Sequence, residues 1–163
     1  EFKLLHKRPL WATQENTMSR LQWSDALSLD MPAMDDGHRQ FVQLLDLAHE
    51  ASDASVVGHW RDLIAHTTRI FEREDRWMHA TRFSSDHIHS TQHQVVLQVM
   101  GEGLRAGESG QLGPIRHMAG ELGQWFAKHS QSMDAALALH LRRVGYDPAT
   151  GVLSMPDDIA LQA

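Results

Sequence analysis

The sequence predicts an all-α fold: an antiparallel, up-down four-helix bundle preceded by an irregular arm. Three observations carry that expectation. Four stretches repeat apolar residues three and four apart, the period of a helix with one buried face. Period-two alternation is scarce and the chain holds one Tyr, so strand signals are weak. Connections of roughly six to twelve residues suit antiparallel neighbours.

Residues 1–17 differ in character from the rest of the chain, and Met18 is a plausible natural start; the first segment reads as an expression remnant or flexible arm. The irregular arm is residues 21–33, LQWSDALSLDMPA. The first helix, 34–52, puts Met34, His38, Phe41, Leu45 and Ala48 on one face, with Asp35 or Asp36 as N-cap. The second, 56–82, carries Trp60, Leu63, Ile64, Thr67, Ile70, Phe71, Glu74 and Met78 at helical spacing. The third, 84–104, opens on Ser84-Ser85-Asp86 and is expected to fray at Gly101 and Gly103. The fourth, 113–146, has Pro114 in its first turn and stops at Gly145. The expected organisation is a bundle over 18–145 and a loosely packed tail over 146–163.

With 163 residues the chain is long enough for one domain with a sizeable core. The 42% apolar and 22% charged content is that of a soluble globular protein. A net charge of −6 leaves no basic footprint for nucleic acid and disfavours an anionic membrane surface. Runs such as Val95–Met100 are too short to span a bilayer, and no signal-peptide pattern is present, so a cytoplasmic location is expected. Cysteine is absent, which excludes disulfides, thiolate zinc, iron–sulfur clusters and cysteine nucleophiles. Any metal must be held by nitrogen and oxygen. Twelve histidines are the one abnormal total.

Several polar residues fall on core-facing stripes. His38 interrupts the apolar face of the first helix, and Glu74 that of the second. His89 and His93 are separated by about 40° around a helix and about 6 Å along it, right for two imidazoles meeting one ion. His129 and Asp134 are five apart, a looser spacing reachable from adjacent turns. A buried unpaired carboxylate is costly, so Glu74 and Asp134 need a partner. Imidazoles and carboxylates converging inside a bundle suit a dinuclear site with bridging carboxylates. Each feature has a plainer account. A lone HxxxH is often two surface histidines, and a lone core histidine is more often a hydrogen-bonded structural residue. Glu74, among Glu72, Arg73, Asp75 and Arg76, reads by itself as part of a solvated charge run. His49, His59, His79, His87, His117 and His140 read as surface or helix-end residues.

From Trp23 to about Leu141 the chain resembles a bacterial hemerythrin. That family opens with an aromatic arm and an Ile-Asp-x-x-His entry to the first helix; here Trp23 and DMPAMDDGH match, ending in His38. Its second helix reads His-Phe-x-x-Glu-Glu-x-x-Met, and IFEREDRWM keeps Phe71, Glu74, Asp75 and Met78. Its third offers His-x-x-x-His, met by His89 and His93. Its fourth offers Trp-x-x-x-His-x-x-x-x-Asp, met by Trp125, His129 and Asp134. The resemblance implies two non-heme iron ions joined by an oxo or hydroxo bridge, with manganese or zinc as other occupants. It implies that His89, His93 and His129 bind one iron, that Glu74 and Asp134 bridge, and that His38 binds the second. The family's other ligand to that second iron is a histidine of the second helix, and here it is Ile70.

His66 is the nearest substitute. Positions 66, 70 and 74 drift by about 40° per step, so His66 points roughly inward, yet its Cα is about 12 Å up the axis from Glu74. Its side chain also leans toward the helix N-terminus, away from Glu74. It is read as a replacement ligand, as a residue that lines the pocket or hydrogen-bonds a solvent ligand, or as a packing histidine. The second metal is thereby expected to have open positions taken by water or a small anion. The expected function is binding of O2 or a related small ligand, as a carrier or an oxygen sensor with a fused or separate signalling partner. The alternatives are a di-iron enzyme acting on peroxide, O2 or NO, and a regulatory domain with one metal or different metals. No acid–base or nucleophile set stands out beside the ligands, which counts against an elaborate enzyme.

Overall fold

The computed structural model describes residues 20–154. The expected N-terminal remnant, the Met18 start and the last part of the tail lie outside the described residues. A short 3-10 turn (Asp25–Leu27) leads into α1 (Pro32–Glu50), α2 (Val56–Thr81), α3 (Asp86–Glu108) and α4 (Gly113–His129). A π-helical turn, Ser130–Asp134, joins α4 to α5 (Ala135–Arg143), so these two are halves of one rod. Helix α1 packs on α2, α2 on α3, α3 on α4, and α4 returns to α1. That closed ring is the expected four-helix bundle. No helix among the described residues is long and apolar enough to cross a membrane.

Three local expectations are corrected. Helix α1 begins at Pro32 with Met31 as N-cap, not at Asp35 or Asp36. Proline at the first helical position has its φ preset and no N–H to satisfy. Asp35 instead turns back to the arm, where its carboxylate accepts from the Leu29 N–H at 2.9 Å and the Ser28 hydroxyl at 2.6 Å. The arm is thereby tied to the first turn of α1, with Asp30 in the left-handed region at φ 52°. Connections are also shorter than expected, covering 51–55, 82–85 and 109–112.

Helix α3 does not fray at its glycines but continues to Glu108. A Cβ on Gly103 would lie 2.7 Å from Met118 Sδ, and one on Gly107 would lie 2.5 Å from Ile115 Cδ1. Both contacts are with α4. The glycines are there to let two helices approach, and the packing gained offsets the cost of about 1 kcal/mol that helical glycine carries relative to alanine. Beyond Gly145 the described part of the tail forms a small antiparallel hairpin, β1 (Tyr146–Asp147) with β2 (Val152–Leu153). Tyr146 packs on the bundle, while residues 151–154 are exposed.

The core has two apolar clusters. Phe41, Trp60, Leu63, Phe71, Met100, Ile115 and Phe126 belong to one; Met31, Met34, Trp77, Met78, Phe83, Leu137 and Leu141 belong to the other. Along α1 the change from one to the other falls between Met34 and Phe41, at His38. Along α2 it falls between Phe71 and Met78, at Glu74. Along the last rod it falls between Phe126 and Leu137, at His129 and Asp134. The core therefore contains a polar layer between two apolar ones.

Replacing Gly107 with Val should lower the unfolding free energy by about 1–3 kcal/mol through overpacking against Ile115. Gly120 lies in α4 with nothing within 4 Å of an added Cβ, and Gly120→Ala should raise stability by about 0.5–1 kcal/mol. Denaturant midpoints of the two variants should move in opposite directions.

Candidate metal centre

Five buried residues converge from three helical rods: Glu74 from α2, His89 and His93 from α3, and His129 and Asp134 from the last rod. One donor atom from each lies within 4.8 Å of all the others. The π turn explains how His129 and Asp134 join. Bonding from i to i+5 widens one turn, so residues five apart fall on one face. Sequence reading supplied the spacing but not the π turn.

The three imidazoles present Nε2 to a common point. His89 Nε2 is 3.1 Å from His129 Nε2, and His93 Nε2 is 3.3 Å from it. Two nitrogens about 2.1 Å from one ion and at right angles to each other stand about 3 Å apart. The observed spacing is that of adjacent ligands on a single cation. Asp134 Oδ1 completes the group at 3.0 Å from His89 and 3.1 Å from His129. Glu74 Oε2 is 3.3 Å from His93 and 3.8 Å from His89.

The other oxygen of each carboxylate faces His38. Asp134 Oδ2 is 3.3 Å and Glu74 Oε1 is 3.6 Å from His38 Nε2. Each carboxylate thus turns one oxygen to the three-histidine group and the other to His38. His38 Nε2 and both Glu74 oxygens are buried with no hydrogen-bond partner among the described residues. Orphaned polar atoms of both kinds, facing one another in a core, fit a bound cation. The donor set of nitrogen and oxygen, without thiolate, fits iron, manganese or zinc.

Neighbouring groups fix the rings. The His93 Nδ1–H donates to Asp75 Oδ1 at 3.0 Å, and the same oxygen accepts from Ser90 at 2.9 Å. The His129 Nδ1–H donates to Gln92 Oε1 at 3.0 Å. Both bonds leave Nε2 as the metal-facing nitrogen. Phe71 stacks on His93 with centroids 3.9 Å apart, Trp125 on His129 at 4.6 Å, and Phe126 meets His38 edge-on at 5.1 Å. Gln92 was not singled out from sequence; its place beside His93 in the HxxxH segment was the available signal.

His66 and Ile70 sit on the His38 side. Ile70 is buried one turn before Glu74 and contributes no donor. His66 is also buried, but its Nε2–H donates to the Gly37 carbonyl at 2.8 Å, so the structure does not bring it into the donor cluster. Burial lowers its pKa, and Arg69 and Arg73 add to that against the Gly37 bond, consistent with a neutral donor. His49, His59 and His140 are half-buried and His79, His87 and His117 are exposed; none joins the cluster. His140 donates instead to the Thr81 carbonyl at 3.2 Å.

A helical bundle whose polar core layer pairs imidazoles with split carboxylates defines a class: a non-heme metal protein with its centre inside the bundle. The chain is 36% identical over 130 residues to a bacteriohemerythrin of Ralstonia nicotianae, spanning 80% of this chain and 95% of that protein. It is 24% identical over 125 residues to a bacteriohemerythrin of Pseudomonas paraeruginosa, spanning 72% and 79% respectively. The chain belongs to the bacterial hemerythrin family. No protein-family model matches it, and no solved structure does.

In the metal-free protein, burial opposes charging of His38, but the neighbouring Asp134 and Glu74 carboxylates raise its pKa to about 10. For His93, burial is likewise outweighed by Asp75 and Glu74, giving about 9. Burial acts to raise the Asp134 pKa, yet His129, His38 and His89 hold it well below the usual carboxylate range. The histidine contribution to metal-free stability is complete below the ordinary imidazole pKa of about 6.5 and is lost as pH rises through about 9 to 10. The Asp134 contribution is present above about pH 3.9 and lost in stronger acid. A metal must displace those protons, so its binding strengthens as pH rises. The gap in melting temperature between iron-loaded and metal-free protein should widen from pH 6 to pH 9; a constant or shrinking gap contradicts this. Asp75→Ala should weaken metal affinity by about 10–100-fold in chelator competition, because His93 loses its orienting carboxylate.

Proposed function

We propose that the chain is a non-heme di-iron protein that binds O2 or a related small ligand, as a carrier or sensor. In this reading His89, His93 and His129 hold the first iron, Glu74 and Asp134 bridge, and His38 holds the second. The observation that carries it is the division of each carboxylate between the three-histidine group and His38. The irons, when bound, supply a redox-active pair with room for a small ligand. The chain's own residues orient and shelter that pair. Phe71, Phe126, Met34 and Met78, all nearly inaccessible, exclude bulk water. His66 acts through α1, fixing the Gly37 carbonyl just before His38, and does not ligate. A cytoplasmic location and a fused or separate signalling partner fit the reading.

Ile70 makes the two halves unequal. Five donors surround the first position; His38 and one oxygen each from Glu74 and Asp134 face the second. The second iron is therefore the more labile and the more open to exogenous ligands. That openness favours one further reading, an enzyme acting on peroxide, O2 or NO, for which turnover well above that of free iron is the measurement.

Iron titration of the apoprotein, followed by metal counting and anomalous diffraction, should show one tight site and one weaker site. Ile70→His should tighten the weaker site by at least the about 10–100-fold that orienting partners alone contribute, and it should slow autoxidation. Two equally tight sites in the unaltered chain, with persistent reversible oxygen uptake, would overturn the reading.

A further inference from the structure

Between α1 and α2 lies a cavity of about 410 Å³, lined in part by Gly37, Arg69, Ile70, Arg73 and Arg76. Positions 69, 73 and 76 recur at steps of four and three, so their side chains share one side of α2. Three arginines thus line one small cavity in a chain whose net charge is −6. Arg69 and Arg76 are exposed, and neither side chain has a hydrogen bond or ion pair among the described residues. Arg73 lies over the Trp77 ring, 4.9 Å from its centroid. Its Nε and Nη2 are buried without an acceptor among the described residues.

Those two nitrogens form one edge of the guanidinium. Their N–H bonds run parallel and match two oxygens of a carboxylate, sulfate or phosphate. A buried N–H without an acceptor is costly, so an acceptor entering here is stabilising. The edge is parked against Gly37, where an added Cβ would lie 2.8 Å from Nη2. Anion binding requires rotation about the side-chain bonds to turn this edge into the cavity that Arg73 already lines. Two acids, Asp36 and Glu72, share the rim. Asp36 is paired with Arg39 at 3.0 Å, and the Glu74 and Asp36 charges also act on Arg73 without supplying an acceptor to its Nε or Nη2.

We propose that this cavity binds a small oxyanion, two of its oxygens taken by the Nε–Nη2 edge of Arg73 and its remaining charge balanced by Arg69 and Arg76. Its floor is Ile70 and Gly37, one turn from Glu74 and next to His38 respectively. An anion held here is separated from the His38 half of the centre by the Ile70 side chain, which makes the cavity an antechamber to the open positions. That last step rests on the proposed function above; the binding itself does not.

The test is calorimetric titration of the iron-loaded protein with sulfate, against chloride at matched ionic strength. Saturable sulfate binding is expected, weakened about tenfold or more in Arg73→Gln. The double variant Arg69→Gln/Arg76→Gln, altered only at exposed positions, should weaken it as well. Arg61→Gln, which removes an exposed arginine paired with Glu108, should bind as the unaltered protein does. No sulfate binding beyond that of chloride would overturn the proposal. So would unchanged affinity in Arg73→Gln of native helix content, or equal loss in Arg61→Gln. If Arg73→Gln does not fold, unchanged affinity in the double variant overturns the proposal. A protein with two equally tight irons that still binds sulfate through Arg73 refutes the open-site reading and leaves this one standing. One tight and one weak iron with no sulfate binding refutes this one alone.

Discussion

Glu74 and Asp134 are carboxylates at 1% exposure in the middle of a helical bundle. Taking such a group out of water without a counter-charge costs several kcal/mol. Each turns one oxygen toward the three-histidine group and the other toward His38, yet neither Glu74 oxygen gains a hydrogen bond among the described residues. The remaining structure arranges for those partners to arrive at one height along four rods. Apolar clusters above and below the layer fix that height, because a shift of any rod would carry its polar residue into an apolar neighbour. Packing thus supplies the register, and the register places the charges.

The last rod shows how strong this requirement is. A regular helix cannot put residues five apart on one line, since its period is 3.6 residues. The chain widens a single turn, Ser130–Asp134, and then resumes α-helical geometry at Ala135. The wide turn gives up the regular hydrogen bonding of the α-helical segments on either side of it. What it gains is Asp134 Oδ1 within 3.1 Å of both His89 and His129. Ser130, buried at the start of that turn, also comes within 3.4 Å of His38 Nδ1. One irregularity therefore serves both halves of the layer.

Helix periodicity made the four rods legible in the sequence, and polar residues on apolar stripes marked His38, Glu74, His89 and His93 as candidates. The residues that were misread depend on neighbours far along the chain. Gly103 and Gly107 look like helix breakers until Met118 and Ile115 are seen against them. Asp35 looks like a cap until its bonds to Ser28 and Leu29 show it holding the arm. The π turn leaves no local mark beyond a five-residue spacing. His66 could be placed near the site by periodicity, but only its bond to the Gly37 carbonyl shows which way its donor points.

Ile70 enters the same accounting of buried polar groups. Ile70 fills its place with carbon and meets the α1 backbone at Gly37, where an added Cβ would lie 3.0 Å from its Cγ2. A buried apolar group in that place needs no partner, so it leaves no orphan of its own. Around it, His38 Nε2 and both Glu74 oxygens are buried without hydrogen bonds among the described residues. Arg73, three residues further along α2, carries two more unpaired N–H groups against the same glycine. Three side chains at the α1–α2 seam thus carry unsatisfied groups, and on α3 the buried His89 Nδ1 also has no partner among the described residues.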